Sequence, residues 1–69
     1  MANEPIHDKD YNLVSVLYHA LQGSETTTTY IRDAEQANDR ELAEYFREAQ
    51  EQYKRLADQA KKLLAQRIG

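Results

Sequence analysis

Leu42–Leu63 reads LAEYFREAQEQYKRLADQAKKL, and Leu42, Phe46, Ala49, Tyr53, Leu56, Ala60 and Leu63 recur in it at alternating steps of four and three. That is a heptad seam, with Phe46 at an a position and Ala49 at a d position. The b, c and f positions carry charge from Glu41 to Lys62, while the e and g positions hold Ala43, Tyr45, Gln50, Gln52, Ala57, Gln59, Leu64 and Gln66. A segment divided in this way is a helix whose inner face packs against other helices.

The chain on either side completes a hairpin. Asn38 tolerates the left-handed conformation that follows a helix C-terminus, and Asp39 suits the first cap of the next helix. Asn38 with Glu41 also fits a capping box. The second helix is therefore expected from about 39 to 67, with Gly69 at its end. Upstream, Val14, Leu17, Leu21, Ser24, Thr28 and Ile31 form an a/d stripe flanked by Leu13, Ala20, Thr27 and Ala34. This predicts a first helix from about 9 to 36. Residues 1–8, with Asn3, Pro5 and Asp8, read as an N-terminal arm ahead of a helical hairpin over 9–69, with Asp8 or Asp10 as cap.

Gln22–Thr29 is the weak stretch. Gly23 and four consecutive threonines are poor helix formers, and Ser24 can cap a separate short helix. The sequence leaves open a three-helix monomer with a break there.

A short connection makes two long helices antiparallel. The basic end of the second helix (Lys61, Lys62, Arg67) then meets the acidic start of the first (Asp8, Asp10). Two helices cannot cover an inner face this wide, so the expected fold is all-α: an antiparallel two-helix hairpin that dimerises with two-fold symmetry into a four-helix bundle. Leu17 and Leu21, with Leu42, Phe46, Ala49, Tyr53, Leu56, Ala60 and Leu63, are its expected core and dimer seam.

Composition narrows the function. Sixty-nine residues make one small domain, and without cysteine no disulfide braces it, which leaves oligomerisation as the stabiliser. A net charge of −3 argues against nucleic acid or an anionic membrane as partner. No apolar run is long enough to span a bilayer and the N-terminus lacks signal-peptide order, so the expected location is the cytoplasm.

Candidates for chemistry are few. Glu25 and Glu51 fall at one height of the hairpin, the arrangement from which bundle di-metal sites are built. Glu51, however, is at an f position beside Lys54 and Arg55, and Glu25 reads as reaching solvent at the bundle edge. His19 at an f position and His7 in the arm lack a second ligand one turn away. Glu25 and His19 remain as metal candidates, with Ser24 and Thr28 nearby as further oxygen donors, and no cofactor is expected. Ser15 and Ser24 read as lacking a histidine or lysine held against them, so no catalytic constellation emerges and the chain reads as a non-enzyme. Tyr53, on the seam, needs a hydroxyl partner, for which Gln52 or Gln59 is placed.

Tyr30–Leu56, YIRDAEQANDRELAEYFREAQEQYKRL, resembles the middle of the ferritin-like superfamily, in particular the rubrerythrin type. The matching residues are Asn38 at the turn and Leu42, Ala43 and Phe46 opening the next helix. In that family a glutamate on the first helix and a Glu-x-x-His on the second hold two metals. Here those positions fall near Ala20 and on Tyr53 and Leu56, none of them a ligand. The resemblance thus implies a half-size, dimerising ferritin-like fold without the di-iron site. Three functions follow as expectations. The first is a non-enzymatic hairpin module that dimerises and engages another protein. Another is a metal-handling or oxidative-stress protein with an atypical site. The third is a small enzyme or ligand-binding bundle with a tyrosine-lined pocket around Tyr53.

Overall fold

A computed structural model describes the backbone of residues 8–68 and the side chains of residues 9–67. The expected arm and the end at Gly69 lie outside the described residues, apart from Asp8. Two helices, α1 (Asp8–Gln36) and α2 (Arg40–Ile68), form an antiparallel hairpin, and no strand occurs among the described residues.

The turn is built by its sequence. Asn38 takes φ 59°, and its N–H donates to the Glu35 carbonyl at 3.0 Å while Asp39 N–H donates to the Ala34 carbonyl at 2.9 Å. These two bonds make a Schellman closure, which satisfies carbonyls left over at the end of α1. Asp39 then caps α2, accepting the Leu42 N–H on Oδ1 at 3.1 Å. Glu41 does not enter that cap.

α1 is continuous through Gly23–Thr29, which removes the three-helix alternative. Thr26 donates its hydroxyl to the Gln22 carbonyl at 2.8 Å and Thr27 donates to the Gly23 carbonyl. The hydroxyls thus find acceptors on the helix itself, and packing against α2 outweighs the weak local propensity. Thr27 is buried at the centre of the hairpin. Gly23 has a packing role as well: a Cβ there would lie 2.6 Å from Tyr53 Cε1, so the missing side chain is what lets the tyrosine ring lie across α1.

Residues seven apart run as rows nearly parallel to a helix axis. α1 turns the rows Leu13/Ala20/Thr27/Ala34 and Leu17/Ser24/Ile31 toward α2. In return α2 presents Ala43/Gln50/Ala57/Leu64 and Phe46/Tyr53/Ala60. The contact within the hairpin therefore uses the a and e rows of α2, one position round from the expected a/d seam. Alanine size explains the rotation. Ala20, Ala34, Ala43, Ala57 and Ala60 are the buried apolar residues, and their short side chains let the helices close in. Placing Leu42, Leu56 and Leu63 between the helices instead would hold them apart.

Charge closes both ends. Glu35 pairs with Arg47 beside the turn, and Asp10 Oδ1 lies 3.7 Å from Arg67 Nη1 at the open end. Asp10, a candidate cap, is inside α1 and serves as that ion partner.

Candidate functional site

The rotation of the seam leaves two apolar strips uncovered, one on each face of the hairpin. Leu42, Leu56 and Leu63 of the d row are 41, 46 and 45 % exposed, with Ala49 half-buried between them. Val14 and Leu21 of α1 are 43 and 46 % exposed. These strips do not meet. A shallow depression bordered by Tyr30, Ala34, Ala37, Leu42 and Phe46, and another by Asn12, Leu13, Val16 and Leu63, put the d row of α2 beside the Val16/Gly23/Tyr30 row of α1. On the other face the Glu35–Arg47 pair joins the row Val14/Leu21/Thr28/Glu35 to Arg40/Arg47/Lys54/Lys61. The two α1 rows are two residues apart, about 200° around the helix, so they flank the contact on opposite sides.

The first face is the more apolar. Val16 and Tyr30 of α1 and Leu42, Tyr45, Tyr53, Leu56 and Leu63 of α2 are all more than a third exposed on it. Tyr30 and Tyr45 lean on half-buried Phe46, at ring centroid separations of 5.6 and 5.9 Å. The second face has Tyr11, Val14, Tyr18 and Leu21 at one end, beside a basic row on α2.

The residues singled out for chemistry do not converge. Glu25 and Glu51 are exposed, and Glu25 borders a shallow depression with Tyr18, Leu21 and Gln22. His19 is exposed too, its ring edge-on to Tyr18 at 5.5 Å. Among the described residues no group of three or more His, Cys, Asp or Glu side chains is placed to hold a metal ion.

One pairing corrects the sequence reading. His19 lies one turn after Ser15, its Nδ1 2.9 Å from the Ser15 carbonyl oxygen and 3.4 Å from the Ser15 hydroxyl. A histidine is therefore held against Ser15 after all, and the i, i+4 spacing was visible in the sequence. The nitrogen that a general base would use instead donates to a backbone carbonyl, on an exposed helix face. That geometry does not activate the hydroxyl.

No family model, curated protein or solved structure matches the chain. The surface must speak for itself. Sequence reasoning also missed Gln50, whose Nε2 donates at 2.8 Å to the Ser24 carbonyl and at 2.8 Å to Thr28 Oγ1. Gln50 thereby bridges the two helices, whereas among the described residues neither Gln52 nor Gln59 hydrogen-bonds the Tyr53 hydroxyl as the sequence reading expected. The signal available for Gln50 was its e position, which only the rotated seam turns inward. Among the described residues no helix is long and apolar enough to cross a membrane.

Proposed function

We propose that this chain is a non-enzymatic helical-hairpin module of the ferritin-like type that works in the cytoplasm. It acts by pairing with a second copy as a four-helix bundle and by engaging another protein. The observation that carries this reading is the uncovered d row of α2. A hairpin whose own seam is alanine and threonine buries little apolar area, and no large side chain among the described residues is fully buried. Without cysteine to brace it, the stabiliser left is association through the exposed leucines and tyrosines.

The second face supports the interaction half of the reading. Covering the d row leaves Tyr11, Val14, Tyr18 and Leu21 open, and exposed aromatic clusters are typical anchors of protein contacts. Asn38 at the turn and Leu42, Ala43 and Phe46 in the first turns of α2 support the ferritin-like assignment, and Tyr53 and Leu56 at the family's ligand positions support a role without the di-iron centre.

Size-exclusion chromatography with light scattering tests the proposal. The expected result is a dimer whose unfolding midpoint rises with protein concentration. A monomer with a concentration-independent midpoint would overturn it.

A further inference from the structure

We infer that the second copy docks antiparallel, α2 on α2, about a two-fold axis perpendicular to the helices near Gln52, so that the turn of one hairpin lies at the open end of the other. This inference rests on the homodimer proposed above and adds its geometry. The two copies have two ways to bring their d-row faces together. With the turns at the same end, α1 of each copy covers α2 of the other. With the turns at opposite ends, each helix covers its own counterpart, running antiparallel.

Charge selects the second arrangement. The row bordering the d and g positions on the outer side of α2 reads Glu41, Glu48, Arg55, Lys62: two acids followed by two bases at heptad spacing. Such a row complements itself only when reversed, with Glu41 opposite Lys62 of the second copy and Glu48 opposite its Arg55. The midpoint of that row falls beside Gln52, and so does the midpoint of Leu42/Ala49/Leu56/Leu63. Charge and apolar register therefore agree on one axis. Leu42 then packs at the level of Leu63 of the second copy.

The two acids are the freer half of this row, since Arg55 and Lys62 have Glu51 and Asp58 within one turn on α2. Neither ion pair described within the hairpin uses any of the four charges. Glu41 and Glu48 also lack a cation three or four residues away on α2. The face ends follow the same sign pattern. Lys9 stands at the open end, beside the Asp10–Arg67 pair, and Asp33 and Asp39 at the turn end, so reversal brings the lysine end of one copy to the acidic end of the other.

The chain has no cysteine, so single cysteines can be placed at will. With oxidised glutathione, Gln52→Cys is expected to form a disulfide-linked dimer nearly completely, because Gln52 sits beside the axis. An equimolar mixture of Asn12→Cys and Gln66→Cys is expected to stay unlinked. Linking of that mixture, with Q52C unlinked, would overturn the antiparallel geometry while leaving the dimer intact, as would a dimer in which neither links. A monomer by light scattering would instead overturn the dimer itself. A second measurement needs no disulfide: Glu41→Lys with Glu48→Lys should weaken the dimer roughly tenfold or more, and mixing with Arg55→Glu/Lys62→Glu should restore it. Unchanged affinity in the charge variant would count against the reversed row.

Discussion

Leu56 and Leu21 are the same residue type, both in mid-helix and both 46 % exposed in the hairpin, but they stand on opposite faces. Leu56→Ala and Leu21→Ala therefore form a matched pair. Full burial of a leucine side chain is worth about 1.5–3 kcal/mol, so covering the half still open on Leu56 contributes about 0.7–1.4 kcal/mol per copy. A symmetric dimer loses this twice, about 1.5–3 kcal/mol in all, or roughly 10–100-fold in its dissociation constant. Leu21→Ala changes nothing that the proposed dimer would cover, and both substitutions have the same small effect on helix propensity. Sedimentation equilibrium or dilution-dependent circular dichroism reads the constant directly. Leu56→Ala is expected to weaken association by that factor, with Leu21→Ala within about twofold of the parent. Equal effects at the two sites, or a larger one at Leu21, would refute the choice of face.

Three further outcomes follow from the packing. Gly23→Ala gains helix propensity of about 1 kcal/mol but pushes a methyl into the Tyr53 ring, so its benefit should emerge only with Tyr53→Ala; chemical denaturation of the double-mutant cycle is expected to show a coupling of about 1–2 kcal/mol. At the turn, Asn38→Gly should be neutral or stabilising, whereas Asp39→Ala should cost about 0.5–2 kcal/mol in the same assay because the Leu42 N–H loses its acceptor. Gln50→Ala removes both bonds to Ser24 and Thr28 and should cost about 1–2 kcal/mol, while Gln52→Ala, which makes no such bridge, should leave hairpin stability within about 0.5 kcal/mol.

Much of the hairpin was legible because its signals are local. The left-handed Asn38 and the cap at Asp39 each depend on a few neighbouring residues, and the charge match at the open end follows once the short turn makes the helices antiparallel. Ser15 with His19 was equally local and was overlooked. Gly23 was different. It read as a weakness of α1, and its role as the seat of the Tyr53 ring depends on a residue in the other helix. Gln50 was hidden for the same reason, since an e position becomes an inward one only after α2 has turned about its own axis.

By itself the sequence determined the long second helix, the turn before it and the antiparallel sense, because hydrophobic period, capping and connection length act within a few residues of each other. That α1 runs unbroken through Gly23–Thr29 was settled by its packing against α2. Only the tertiary structure decided how the broad apolar stripe of α2 is divided. A stripe wider than one neighbour can cover permits several rotations about the helix axis, and close packing of alanines on both helices selects one of them. That selection gave Phe46, Tyr53 and Ala60 to the hairpin and left Leu42, Leu56 and Leu63 exposed on its face.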